Sequence, residues 1–363
     1  MSTLKVNTIR HTGASSDAVT LATDGTCTVK ATNKSNRNLI INGAMNVAQR
    51  GTSSTGTSYG CVDRFANGRS GPAVTQTQHT LTSSDTGPWA KGFRNSYMIH
   101  VTDPQTPDAA TDYCEIVYQV EAQDIVHSGW DYTSASSYIT ISFWVKSTVA
   151  GTYSMIIKTN DGATNYRNWT FNYALSADTW TKVTHTLPGH ASQIIDNDNG
   201  AGLTLHWAMY YGTNYTASKT NEQWMAHTSG NQVGDFAQNI LATDEAKFEI
   251  TGVQLEAGDV ATDFEHRSYG DELARCQRYY QKFTGISYRM FTKNVHRWGV
   301  PLPVKLRAVP TATKSYTSTT NMGNDHTTSA DGTMLNYSLS TDPSGSDNII
   351  DNGGGTITLD AEL

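Results

Sequence analysis

Charge is scarce in this chain. Only 16% of its 363 residues are Asp, Glu, Lys or Arg, against roughly 25% in ordinary soluble domains. The balance is negative, −7 at neutral pH, and no block of Lys or Arg runs along the sequence. Nucleic-acid binding is therefore disfavoured, because it depends on clustered cations that displace counterions from phosphates. Long apolar runs are also missing. No segment approaches the ~18 apolar residues of a membrane span, so membrane insertion is not expected. The start, Met1 to Val6, has no apolar stretch of the kind that heads a secretory leader, which points to synthesis and folding in a cytoplasm. Cysteine is sparse: Cys27, Cys61, Cys114 and Cys276 stand far apart with no CxxC pair. Free, buried thiols are the expectation, rather than disulfides or a metal site. HExxH does not occur.

The surface must instead be built from Ser, Thr, Asn, Gln and Gly, which favour turns and solvated strand faces over helix interiors. Aromatics are plentiful, with 18 Tyr and 8 Trp. From about residue 90 to 265 apolar and polar residues alternate. Cys114, Ile116, Tyr118 and Val120 interleave with Glu115, Gln119 and Glu121. Ile139, Ile141, Phe143 and Val145 interleave with Thr140, Ser142, Trp144 and Lys146. Trp169, Phe171 and Tyr173 repeat the pattern, as do Leu203, Leu205, Trp207 and Met209. A period of two with one face buried belongs to antiparallel sheets, and many such strands joined by Gly/Asn/Asp/Ser turns predict an all-β sandwich. In Phe248 to Leu255 the buried parity flips at Gly252, which predicts a β-bulge there.

The organisation expected is a polar N-terminal β arm over 1–36, a sandwich over 37–266, a helical connector over 267–283 and a small β domain over 284–363. The arm has Leu4, Val6 and Ile9 but little to bury them against, so it orders on a partner or on copies of itself. Asn38 to Met45 reads as a strand entering a turn, and Val62 to Phe65 as a short strand. Ser268 and Asp271 have capping-box spacing. Leu273, Cys276, Tyr280 and Phe283 then follow at helical steps, predicting a helix over 271–282.

Several stretches resemble a module that recurs in tail-fibre and related virion proteins of tailed phages. They are Asn38-Leu39-Ile40-Ile41-Asn42-Gly43-Ala44-Met45, Gln49-Arg50-Gly51 and Val62-Asp63-Arg64-Phe65. Ile250-Thr251-Gly252-Val253-Gln254-Leu255-Glu256-Ala257-Gly258 and Thr262-Asp263-Phe264-Glu265 continue the likeness. So do Leu273-Ala274-Arg275-Cys276-Gln277-Arg278-Tyr279-Tyr280 and Leu302-Pro303-Val304-Lys305-Leu306-Arg307-Ala308-Val309-Pro310-Thr311. The opening, Ser2-Thr3-Leu4-Lys5-Val6-Asn7-Thr8-Ile9, is similar to the start of fibre proteins of aquatic phages. The resemblance covers roughly residues 37–311. It implies a jelly-roll sandwich like that of carbohydrate-binding modules, a homotrimer, and a place on the virion. It brings no catalytic residue set. The expected role is adsorption: the arm, through Leu4, Val6 and Ile9, meets other tail proteins, and the outer domains meet host-surface polysaccharide. Two rivals share these features, an architectural collar, adaptor or capsid decoration, and a glycan-degrading tailspike.

Sugar binding needs flat aromatics beside amides and carboxylates. Trp130 and Tyr132, and Tyr215, Asn221 and Trp224, have that composition and are the candidate glycan contacts, although core or trimer packing is the more ordinary use of the same rings. Trp144 is the anomaly, because it sits on the polar parity of its strand and should face solvent, a neighbour or a ligand. A glycosidase would need two carboxylates ~5–10 Å apart in a groove. Glu115 with Glu121, and Glu249 with Glu256, are expected to be solvated or interface residues instead. Asp196-Asn197-Asp198-Asn199-Gly200 is rich in oxygen ligands but departs from a calcium loop, because Gly200 holds the third acidic position. A polar turn is expected there; Asp196 and Asp198 leave room for a structural calcium, and no other cofactor is expected. Tyr279, Tyr280 and Phe283 give the connector aromatic surface for the sandwich or for another subunit.

Overall fold

A computed structural model describes the chain apart from residues 1–4, 14–16, 26, 30–35, 162–165, 217–218, 287–288, 291–295, 316–318, 321, 329–331, 342–349 and 353–354. In the arm, β1 (Thr8–Ile9), β2 (Val19–Leu21) and β3 (Cys27–Val29) form a small antiparallel sheet. With nothing packed on it, Val6, Ile9 and Leu21 remain exposed. Cys27 is exposed for the same reason, which corrects the expectation of four buried thiols; Cys61, Cys114 and Cys276 are buried and all four are free. Leu4 lies outside the described residues.

Twelve strands build the sandwich: β4 (Ser53–Ser54), β5 (Phe65–Ser70), β6 (Val74–Thr80), β7 (Asn95–Val101), β8 (Tyr113–Glu121), β9 (Tyr138–Ser147), β10 (Gly151–Thr159), β11 (Arg167–Leu175), β12 (Thr181–Pro188), β13 (Ala201–Tyr211), β14 (Met225–Ala226) and β15 (Lys247–Ala257). One six-stranded sheet has the order β14-β11-β10-β13-β8-β5 and the other β12-β9-β15-β7-β6-β4. Every pairing is antiparallel. This is the expected all-β jelly-roll sandwich. The alternating apolar residues of β8, β9, β11 and β13 all face inward and are buried. Large rings fill the space between the sheets, with Phe143 edge-on to Trp207 at 5.7 Å. Burying such a side chain stabilises the fold by roughly 1.5–3 kcal/mol.

The bulge lies where the parity flip places it. Thr251 faces Trp144 and Gln254 faces Ser142, so Gly252 and Val253 stand opposite Phe143 alone. Gly252 adopts φ 63°, a left-handed conformation suited to glycine. Phe248 and Ile250 before it, and Val253 and Leu255 after it, all remain in the core.

Two short strands expected from sequence are absent. Asn38 to Met45 is an extended segment with a turn over 41–44. Side-chain hydrogen bonds, rather than a ladder, hold it. The Asn38 side-chain oxygen accepts from Ile40 and Leu255, and Asn42 bonds Val47 and Asp63 through both ends of its amide. Val62 to Arg64 is likewise a turn, with Arg64 at φ 72°. The helices are α1 (Ala122–Val126) and α2 (Tyr269–Gln277). Ser268 caps α2 by accepting from the Asp271 N–H at 3.2 Å. The helix stops earlier than its apolar spacing suggested, because Tyr280 opens a strand. That strand, β16 (Tyr280–Ile286), precedes β17 (Arg289–Met290), β18 (His296–Pro301), β19 (Thr311–Ser315), β20 (Thr319–Thr320), β21 (Met322–Thr328), β22 (Met334–Thr341), β23 (Ile350–Asn352) and β24 (Gly355–Asp360). These form three three-stranded sheets, with β24 between β16 and β19.

The sandwich, the connector and β24 meet at a buried charge network. The Arg64 side chain is fully buried. Its guanidinium lies 3.5 Å from the Tyr279 ring centroid, pairs with Glu362 and donates to the Gln119 carbonyl at 2.6 Å. Arg50 stacks 3.7 Å over Tyr280 and reaches Asp360 at 3.0 Å and Glu362 at 3.3 Å. Burial pushes the Asp63 carboxyl up to about 6, even though Gln49 and Arg50 both favour its charged form. Glu121 takes two bonds from Arg278, at 2.8 and 3.1 Å. Planar, hydrogen-bonded pairs of this kind are how charges survive burial.

Candidate functional site

The outer face of the second sheet carries the site. On it Trp144 is flanked across the ladder by Lys182 of β12 and Thr251 of β15, and Ser142 lies one step along the same face. The ring sits between two glycines. A Cβ on Gly87 (φ 98°) would come within 2.8 Å of the ring's Cζ3. A Cβ on Gly252 would lie 3.1 Å from its Cδ1 and 2.7 Å from Phe93 Cζ. The bulge therefore does more than restore parity; it makes the slot in which Trp144 and Phe93 approach the backbone.

Beside this slot is a cavity of about 300 Å³. Trp144, Phe93, Phe264 and His266 supply its rings, and Lys91, Lys182, Asp263 and Ser142 its polar groups. Phe93 and Phe264 pack edge-on at 4.8 Å, and His266 lies 5.2 Å from Phe93. The His266 Nε2 sits 2.9 Å from the Lys91 carbonyl. A carbonyl only accepts, so Nε2 carries the proton and Nδ1 is an acceptor while the ring is neutral. The indole N–H groups of Trp130, Trp169, Trp180 and Trp224 all have partners. Those of Trp144, Trp89 and the core residue Trp207 have none among the described residues, and of these three only Trp144 lines the cavity.

Next to the cavity the face is held rigid by a second network. Asp85 accepts from the Trp180 indole and from Lys146, both at 3.0 Å. Lys146 also reaches Glu249 at 3.1 Å, and Glu249 takes bonds from His79 and Ser96. Burial alone would raise the Asp85 carboxyl, but the Thr82 N–H, Trp180 and Lys146 outweigh it and hold it down at about 2. Glu249 is likewise lowered against its burial by His79, Ser96 and Lys146. The bond to Glu249 raises His79.

The remaining residues singled out by sequence lie elsewhere. Trp130 is buried and donates to the Ser137 carbonyl; Tyr132 packs on it, 6.3 Å away, and donates to the Ile195 carbonyl. Trp224 is buried against Trp169 and donates to the Pro188 carbonyl at 2.7 Å. These rings are core, the packing role weighed against a sugar platform in the sequence, and they are not glycan contacts on an exposed face: each polar tip finds a backbone acceptor inside. Tyr215 folds over the other sheet against Tyr211 and Tyr113, and Asn221 is exposed. None of them lines the Trp144 cavity.

The four glutamates expected at the surface are also buried. Glu115 pairs with His206 and Tyr211, Glu121 with Arg278, Glu249 with Lys146 and His79, and Glu256 with Thr262 and Gln254. Asp198 caps its own turn by accepting from the Gly200 N–H at 2.8 Å, while Asp196 donates its backbone N–H to Asp161. Among the described residues no group of three or more His, Cys, Asp or Glu is placed to hold a metal ion, and no helix is long and apolar enough to cross a membrane.

A larger cavity of about 860 Å³ lies between α1, the Asn36–Ile41 segment and Arg275; Tyr138 is its one Phe, Tyr or Trp ring. Sequence reasoning found Trp144 but missed its partners. Phe93, Phe264 and His266 come from loops and Lys91 from a short 3-10 turn (Trp89–Lys91), and only the strand partner Lys182 could have been inferred from pairing.

No family model matches the chain, and no curated protein matches it. Solved structures similar to it include the enzymatically active domain of tailspike protein 4 of bacteriophage CBA120, at 12% identity and a TM-score of 0.33 over 61% of this chain. The match covers only 22% of that tailspike chain. The family 11 carbohydrate-binding module of a Clostridium thermocellum cellulase matches at 13% identity, with a TM-score of 0.27 over 60% of this chain and 98% of that one. The N-terminal cellulose-binding domain of Cellulomonas fimi β-1,4-glucanase C matches at 10% identity, with a TM-score of 0.30 over 59% of this chain and all of that one.

Proposed function

We propose that this chain is a saccharide-binding structural protein of a phage particle, a tail-fibre-type appendage that meets host-surface polysaccharide and has no catalytic activity of its own. The observation that carries the binding reading is the Trp144 cavity. A half-buried indole with an unpaired N–H, walled by Phe93 and Phe264 and edged by Lys, Asp, Ser and His, offers both things a sugar needs. The ring faces take the C–H surface, and the polar groups take hydroxyls. The buried glutamates support binding over hydrolysis, since each is committed to partners within the chain. The virion role draws its support from the stretches resembling the phage module, and the exposed Val6 and Ile9 suit an arm that docks on another tail protein. Threefold assembly would multiply weak single sites.

The test is adsorption. Particles carrying Trp144→Ala should assemble normally but bind host cells or isolated surface polysaccharide at least tenfold less well. Normal adsorption by that variant would leave an architectural protein. Release of oligosaccharides from host polysaccharide by the purified protein would replace the reading with a depolymerase.

A further inference from the structure

We infer that the saccharide taken by the Trp144 cavity is anionic, bearing a carboxylate, sulfate or phosphate on the residue that stacks there. This rests on the reading of the cavity as a sugar site and adds the class of sugar.

The inference comes from how the cations on this face are partnered. Lys146, one pair along β9 from Trp144, is fully engaged with Asp85 and Glu249. Lys91 and Lys182, which line the cavity, have no ion pair among the described residues. Lys182 is the direct cross-strand neighbour of Trp144, and such neighbours lie within about 5.5 Å at Cβ. Against these two lysines the lining supplies one acidic residue, Asp263. A local excess of positive charge therefore marks the rim of a cavity in a chain whose net charge is −7. His266 adds no carboxylate to the lining. A neutral sugar would use the rings and leave both ammonium groups in water; an anionic one would also engage them. Ammonium is a point charge that does not distinguish carboxylate from sulfate or phosphate by geometry, so the ligand class is anionic rather than uronic.

The experiment is calorimetric titration of the full chain with three probes: oligogalacturonate, the same oligomer with its carboxyls reduced to alcohols, and a sulfated galactan oligomer. Each is run with wild type, Trp144→Ala and the double variant Lys91→Gln/Lys182→Gln. At least one anionic probe should bind about tenfold more tightly than the reduced oligomer, and its affinity should fall with salt. The double variant should lose that preference and most of the salt dependence, because rim charges act mainly through long-range attraction. Trp144→Ala should weaken all binding. Equal binding of charged and reduced oligomers, or an unchanged preference in the double variant, overturns the anionic inference while the sugar site stands. Binding of all three probes that is indifferent to Trp144→Ala overturns both. Which anionic probe binds separates uronate from sulfate as the source of charge.

Discussion

Two regions of the molecule treat their cations in opposite ways. At the junction of sandwich, connector and β24, Arg64 is buried and Arg50 partly so; they stack on Tyr279 and Tyr280 and pair with Glu362 and Asp360. On the outer face of the second sheet, Lys91 and Lys182 line an aromatic cavity with no ion pair among the described residues. The first arrangement pairs its cations within the chain and holds parts of that chain together. The second is open, and its unfilled bonding capacity is what a ligand would complete. Residue type follows: the planar guanidinium suits fixed bidentate pairing and stacking, whereas the flexible, well-hydrated ammonium tolerates waiting in water.

Substitutions can break this contrast from either side. The largest effect is expected at Arg64. Arg64→Ala removes one of the two guanidinium partners of the buried Glu362, leaving Arg50 alone, and should cost about 3–5 kcal/mol in urea unfolding. Adding Glu362→Gln should recover part of that loss; a loss below about 1 kcal/mol would mean the junction is not what ties β24 to the sandwich. Next comes Gly252→Ala, which forces a Cβ into Phe93 at a left-handed φ. It should cost about 1–3 kcal/mol and also weaken saccharide binding, because the slot for Trp144 is displaced. Trp144→Ala should cost less than about 2 kcal/mol, since the ring is only half-buried, yet reduce binding at least tenfold.

The smallest effect is at Asp85. Its folded value is lowered to about 2, below an unfolded value of about 3.9. The stability it contributes is therefore present above pH ~3.9 and is lost as the pH falls through about 2. Thermal unfolding between pH 5 and 2 should show that slope, and Asp85→Asn should flatten it. An unchanged slope would remove Asp85 from the network that holds the Trp144 face.

Much of the fold is legible in the sequence because period-two alternation follows directly from strand geometry. The bulge at Gly252 is legible for the same reason, since it leaves the only parity break in its strand. What alternation cannot report is what covers the outward face. Glu115, Glu121, Glu249 and Glu256 occupy polar parity, yet neighbouring strands pair Glu115 and Glu249, the connector pairs Glu121 and a loop pairs Glu256. Trp130 and Trp224 look like platform residues by composition, and their burial depends on backbone acceptors at Ser137 and Pro188 that only the folded chain brings near. Asn38 to Met45 has the composition of a strand, but side-chain bonds from Asn38 and Asn42 give its backbone another solution. Trp144 was the one candidate whose position carried information beyond composition, because a large ring on the wet parity of a strand needs a reason to be there.

The central claim is that the Trp144 cavity, and not the other aromatic clusters, meets an anionic sugar. It is tested most directly by following the indole N–H resonances of the full chain by NMR during titration with oligogalacturonate and the sulfated galactan oligomer. The account predicts that the Trp144 resonance shifts progressively with at least one of them while those of Trp130 and Trp224 stay in place. A Trp144 resonance that stays fixed through both titrations, whether or not others move, would contradict it.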